Sequence, residues 1–314
     1  MGEFSSNGAI ASGFRLIGAK PGLILVWGLT YVVLAVIPQF LLMGRFLPDL
    51  LIFYRDAMQA ASGGTMPTPS DDLVRIQAQI ARSQPLQIAA GLVGGAIVHS
   101  AIYRAILEPE NNRFFYLRFG IQELWVGVVS ILLIVTMALA GLVMAIPAAL
   151  LTAIVAAITG GPSSWAAGLM VFLLLFAVLG LTVWVWVRLS MAPLASFAER
   201  RLRLFESFLM TKGLGWQIFG VSASLIGILL AGQFLVFTLL GAGGGSALTN
   251  NLEAIKAFFD QPPNDWMARA APWVALLIGL YTVVTGVAMT IMTAPFATIY
   301  RELAGPAARE VNQA

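Results

Sequence analysis

Six apolar stretches, near 22–44, 85–107, 121–148, 166–188, 215–241 and 271–296, constrain this chain more than any other feature. Each reaches the ~20 residues that a helix needs to cross a ~30 Å hydrocarbon layer. The expected fold class is therefore all-α: a polytopic transmembrane helix bundle of about six spans, set out as three hairpins in a single integral membrane domain over 1–314. Composition agrees. Hydrophobic residues make up 59% of the chain and charged residues 11%, against roughly 25% charged in soluble domains. A water-soluble protein of 314 residues could not cover its outside with so few polar groups.

The same inventory narrows the chemistry. There are no cysteines, which excludes disulfides and thiolate metal sites. A single histidine would need carboxylate partners to hold a metal. The net charge of +3 gives no argument for nucleic acid. Arg15 and Lys20 precede an apolar run over 23–47, which is too long for the h-region of a cleaved signal peptide.

Orientation follows from the basic residues. With the N-terminus inside, twelve Lys and Arg fall on the cytoplasmic side, among them Arg104, Arg113, Arg118, Arg188, Arg200, Arg201, Arg203 and Lys212, and six on the other. The chain is expected in a bacterial inner membrane, multi-pass, with both termini cytoplasmic. Two longer loops fall outside. In the first, Ser70, Asp71 and Asp72 suggest a short helix to about Arg82, separate from the second span. In the second, Gly241 to Ser246 suggests a flexible linker, and Asn251 to Phe259 a short helix ended by Pro262 and Pro263. Thr159, Gly160, Gly161 and Pro162 mark a tight turn between the third and fourth spans.

Three stretches have the pattern of amphipathic helices lying on the cytoplasmic surface. In 194–212, Leu194, Phe197, Leu202, Phe205 and Leu209 share one face, while Ser196, Glu199, Arg200, Arg203 and Glu206 share the other. Glu199 and Arg203 are spaced as an i,i+4 pair, and Gly213 supplies the stop. The N-terminal stretch sets Ile10, Phe14 and Ile17 against Arg15. The third, from Asn112 to Phe119, leaves Arg113 and Arg118 for lipid headgroups. Arg200, Arg201, Arg203, Arg113 and Arg118 are therefore the candidate lipid-interface residues.

An internal echo links the spans. Ile102-Tyr103-Arg104 is followed by Pro109, and Ile299-Tyr300-Arg301 by Pro306. Ala192-Pro193 to Ser196 matches Ala294-Pro295 to Thr298. Related hairpins would produce this. So would the ordinary preference of Tyr and Arg for interfaces, with Pro ending helices.

His99 lies inside the second span, one turn before Tyr103. An ionisable residue in a membrane is a candidate site, and a neutral imidazole bonded to a neighbouring helix is the plainer reading. His99, Tyr103 and Gln233 form the candidate intramembrane polar site. Gly91 and Gly95 read as a helix-packing G-x-x-x-G. Glu108-Pro109-Glu110 is the tightest carboxylate group and reads as a charged interfacial loop. The tryptophans suit an aromatic belt. No catalytic, cofactor-binding or metal-ligating residue is indicated, and no cofactor is expected.

Leu107-Glu108-Pro109-Glu110, Phe115-Tyr116-Leu117-Arg118-Phe119-Gly120 and Glu123-Leu124 resemble a pattern in a group of bacterial membrane proteins common in alphaproteobacteria, whose activity is unassigned. Trp125 departs from the pattern, standing where relatives more often place a basic residue. The layout is also similar to YciC-type membrane proteins and to the membrane domain that accompanies some glycerophosphodiester phosphodiesterases. The resemblance implies a six-helix membrane domain. It carries over no catalytic residue, because the phosphodiesterase site belongs to a separate soluble domain. The expectation is a non-catalytic membrane protein that organises or senses lipid or supports a partner. Its competitors are a permease for a small amphiphilic or neutral solute, with a cavity lined by His99, Tyr103 and Gln233, and a regulatory subunit of a membrane complex. The expected partners are membrane lipids, and a second copy or a membrane partner protein.

Overall fold

The first helix, α1 (Ser6–Ala19), is opened by a side chain and closed by a backbone amide. Ser5 Oγ accepts the Gly8 N–H at 3.1 Å, and the Lys20 N–H donates to the Leu16 carbonyl at 3.0 Å. Pro21 then starts α2 (Pro21–Tyr31) at the one helical position where its missing N–H costs nothing. The structure, a computed structural model, describes residues 4–44, 71–159, 161, 164–250 and 263–311. Those residues form α3 (Ile37–Gly44), α4 (Asp71–Leu107), α5 (Ile121–Ile158), α6 (Trp165–Leu189), α7 (Ala192–Glu199), α8 (Glu206–Met210), α9 (Gly215–Asn250) and α10 (Pro263–Val311). Among them no strand occurs, and six helices are long and apolar enough to cross a membrane. The protein is an all-α, multi-pass integral membrane protein.

Between α2 and α3 the first span passes through a π-helical turn, Val32–Val36. Pro38 explains it. Proline has no N–H, and its ring crowds the carbonyl four residues earlier. The ladder widens there, and the Ile37 N–H donates to the Val32 carbonyl five residues back.

Two expected breaks are absent. The short helix ending near Arg82 and the second span are one helix, α4, with Pro85 inside it. Local side chains bridge the proline: Ser83 Oγ donates to the Ile80 carbonyl at 2.8 Å and receives Gln87 Nε2 at 3.0 Å. The run from Gly241 to Ser246 is helical backbone within α9 rather than a linker. The proposed helix over 251–259 lies outside the described residues. The expected turn between α5 and α6 is present, with Gly161 at φ 125° and Ser164 Oγ capping α6 through the Ala167 N–H at 3.3 Å.

Helix α10 is the hub. It packs against α1, α2 and α4, and less extensively against α9 and α7. Its crossing with α2 is a backbone contact. A Cβ on Gly28 would stand 2.0 Å from the Thr282 carbonyl oxygen, and one on Gly286 would stand 2.2 Å from that of Ile24. Gly13 lies on Ile291 in the same manner, where a Cβ would meet the Ile291 Cα at 3.0 Å. Helix α1 is therefore seated on α10 by its small residues, with Ala9 and Gly13 buried. It does not lie separately on the surface.

The buried core sits at one end of the bundle. Trp27, Ile102, Tyr103, Tyr116, Met191, Leu194, Phe197, Ile218, Leu225 and Ile299 belong to it. The α5–α6 hairpin is different. Only 6% of the most apolar window of each of these two spans is buried, against 44% for the α4 span. Lipid can cover such helices without cost. Helix α5 has 38 residues and α6 has 25, so at 1.5 Å per residue α5 runs about 20 Å past its partner. That overrun packs against α4 and α7 and carries the site described next. It is hereafter the cap of the bundle.

Candidate functional site

Residues 104–123 form a polar clamp in the cap. Arg104, 1% exposed, ends α4, and Glu123, 3% exposed, opens α5. Their guanidinium and carboxylate are ion-paired. Arg104 also donates to the Tyr116 carbonyl and, at 3.2 Å, to Gln122 Oε1. Its guanidinium lies over the Phe197 ring, 5.4 Å from the centroid. The second oxygen of Glu123 accepts the Gly120 N–H at 3.0 Å and so caps α5. Burying either charge alone would be costly. Pairing, with hydrogen bonds from both terminal guanidinium nitrogens, offsets much of that cost, although Arg104 Nε is buried without a partner.

The connection between α4 and α5 is held just as closely. Phe114, Phe115 and Tyr116 have φ of 52°, 57° and 65°, three consecutive left-handed residues without a glycine. Each such residue costs roughly 1–2 kcal/mol. Hydrogen bonds offset the cost. Trp27 Nε1 donates to the Phe115 carbonyl at 2.9 Å, Tyr116 Oη donates to the Pro109 carbonyl at 2.8 Å, and Lys20 Nζ donates to Tyr116 Oη at 2.8 Å. Asn111 Nδ2 donates to Glu108 at 3.1 Å, and Gln122 reaches the Phe197 carbonyl at 3.3 Å. The segment expected as a surface helix from Asn112 to Phe119 is thus a locked turn. Tyr116 points inward, and Phe114 and Phe119 are 81% and 85% exposed.

The second expected surface helix also differs. Over 194–212 the chain forms α7, a turn, and α8. Arg200 adopts φ 56° and ends α7. The apolar face of α7 is packed in protein, with Leu194, Ala195, Ser196 and Phe197 buried, rather than in lipid. Ser196 Oγ accepts the Arg203 N–H at 2.9 Å and so fixes the turn. The Glu199–Arg203 pair forms even so, across the break, and Arg203 also bonds Glu206 at 3.0 Å. Gly213 takes φ 82° after α8.

Of the five candidate lipid-interface arginines, Arg113, Arg118, Arg200 and Arg201 are exposed, and Arg203 is half-buried between its two carboxylates. Arg118 bonds Asn111, and Arg201 pairs with Glu199 at 2.8 Å. Beside them, Leu202, Phe205, Leu209 and Trp216 are exposed. The cap thus has a rim of arginines and large apolar side chains above a buried, polar clamp.

The candidate intramembrane site is not assembled. His99 and Tyr103 are near neighbours on α4, with ring centroids 6.5 Å apart. Tyr103 is buried with its edge on Phe197, and Gln233 is exposed on α9. His99 faces a groove of about 310 Å³ between α4 and α5, lined by Gly91, Gly95, Ser130 and Ile134 and by neither Tyr103 nor Gln233. Nothing packs on Gly91, and at Gly95 only His99 of the same helix comes near. The glycine of that run that does meet another helix is Gly94, against Ala35 and Tyr31. Trp27 belongs to the core and not to an aromatic belt, whereas Trp165 and Trp216 are exposed at helix ends.

Sequence reasoning missed the Arg104–Glu123 pair and Lys20–Tyr116. Arg104 looked like an interfacial anchor, and nothing in the spacing of 104 and 123 signals a contact. Among the described residues no three His, Asp or Glu side chains converge as a metal site. Comparison with protein-family models, with curated proteins and with solved structures gives no match.

Proposed function

We propose that this protein is a non-catalytic component of a bacterial inner membrane that organises or senses anionic lipid at the cytoplasmic leaflet through the rim of its cap. The observation that supports this is the exposure of Arg113, Arg118, Arg200 and Arg201 beside Phe114, Phe119, Phe205 and Leu209 at one end of the bundle. Exposed phenylalanines gain free energy in the headgroup and acyl boundary, and arginines gain it from anionic phosphates. The clamp beneath holds both turns in place, so little ordering cost remains when lipid arrives. Kinship with the alphaproteobacterial and YciC-type membrane proteins is part of the same proposal and rests on the 107–124 pattern, whose residues build the clamp. The test is the headgroup composition of the lipid that stays with the protein when it is extracted with its surrounding bilayer.

A further inference from the structure

A groove of about 630 Å³ runs between α5 and the 202–209 segment, lined by Leu132, Leu202, Leu204, Phe205, Glu206 and Leu209. Leu204 is buried at its floor, and Phe205 and Leu209, both 74% exposed, form its outer wall. The groove is open and mostly apolar; the charged side chain in its lining is Glu206, which is paired with Arg203, and further arginines flank the lining segment in sequence. Arg200 and Arg201 directly precede Leu202, and Arg203 directly follows it. Over 188–212 the chain holds five basic residues, Arg188, Arg200, Arg201, Arg203 and Lys212, against two acidic, Glu199 and Glu206.

The two carboxylates are committed. Glu199 binds Arg201 and Arg203, and Glu206 binds Arg203. Arg200 has no acidic partner among the described residues, and its left-handed backbone turns it out of α7. On the flank, Arg188 lies over the Trp184 ring at 5.7 Å, and Trp184 meets Phe208 edge-on at 6.1 Å. One end of the site therefore suits an anion and the other a hydrocarbon chain.

We infer that this groove binds one anionic phospholipid, with an acyl chain along Leu132, Leu204 and Leu209 and the phosphate at Arg200 and Arg201. This rests on the reading of the cap as a lipid-engaging surface and deepens it to a single site. A neutral phospholipid would keep the apolar contacts and lose the charge. A soluble glycerol phosphate would keep the charge and lose the groove.

Native mass spectrometry of the detergent-solubilised full chain, titrated with phosphatidylglycerol or phosphatidylcholine of identical chains, tests this. The wild-type protein should retain one phosphatidylglycerol more tightly than phosphatidylcholine. Arg200→Gln with Arg201→Gln should weaken phosphatidylglycerol about thirtyfold and leave phosphatidylcholine unchanged. Phe205→Ser with Leu209→Ser should weaken both lipids. All four side chains are exposed, so these variants should fold, and gel filtration checks that they do. If the phosphatidylglycerol preference survives both pairs of substitutions, the groove is refuted and the preference belongs elsewhere on the rim. If glycerol phosphate displaces the lipid as well as phosphatidylglycerol itself does, the site is a free-anion site and the inference is wrong. If the wild-type protein shows no headgroup preference, the broader lipid reading falls and this inference falls with it.

Discussion

Arg104 and Glu123 are ion-paired in the core of the cap and join the end of α4 to the start of α5. Removing one partner of a buried pair strands the other charge, at about 3–5 kcal/mol. Glu123→Ala should therefore lower the melting temperature sharply in detergent. Arg104→Met combined with Glu123→Leu should recover part of the loss, because no charge is then buried. Full recovery is not expected, since the Tyr116 carbonyl would still lose its donor. Equal melting of Glu123→Ala and wild type would show that the pair does not hold the clamp.

Gly28 and Gly286 set how closely α2 and α10 approach. Gly28→Ala would drive a methyl into the Thr282 carbonyl, and backbone on both sides leaves no flexible atom to yield. The helices would have to separate. Overpacking of this kind costs about 1–3 kcal/mol or more. Gly91→Ala should be neutral, because nothing lies within 4 Å of the added atom. Thermal unfolding of the two variants side by side reads the difference. Destabilisation by Gly91→Ala, or tolerance of Gly28→Ala, would place the close helix contact at the other glycine.

These two contacts show what was legible in the chain and what was not. The six spans could be read because lipid demands long apolar helices whatever their neighbours are. The exposure of Arg113, Arg118, Arg200 and Arg201 could be read because composition alone separates them from the spans. Gly28 and Gly286 could not be picked out among 31 glycines, since G-x-x-x-G spacing reports a small-residue face and not which face is used. The 194–212 stretch misled for a related reason. Its apolar residues do share one helical face, but Phe197 is buried in the core beside Tyr103 and Arg104, and the helix ends at Arg200, so the face is not continuous. Pairing across nineteen residues, as in Arg104 with Glu123, leaves no local trace at all.

The Tyr116 hydroxyl bridges Lys20 and the Pro109 carbonyl. Tyr116→Phe keeps the ring and removes both bonds. A loss of about 1–3 kcal/mol in detergent unfolding is expected, one bond being to a charged amine. Phe114→Ala, two residues away on the exposed side, should not change stability. If Phe114→Ala destabilises as much as Tyr116→Phe, then Phe114 is packed and not presented.

Because the chain has no cysteine, single cysteines report sidedness without background. Ser5 bonds Glu302 at the cap, and Ser164 caps α6 at the opposite end. With the cap at the cytoplasm, Ser164→Cys should react with an impermeant maleimide in intact spheroplasts. Ser6→Cys should react only after permeabilisation. The reverse pattern would invert the protein and put the arginine rim on the outer leaflet.

The most direct test of lipid engagement is the headgroup composition of polymer-extracted discs, compared with the membrane they came from. Wild-type discs should be enriched in anionic phospholipid. Discs of the Arg113→Gln, Arg118→Gln, Arg200→Gln, Arg201→Gln variant should match the bulk membrane. Discs of wild type and variant with the same composition, both equal to the bulk, would contradict the account.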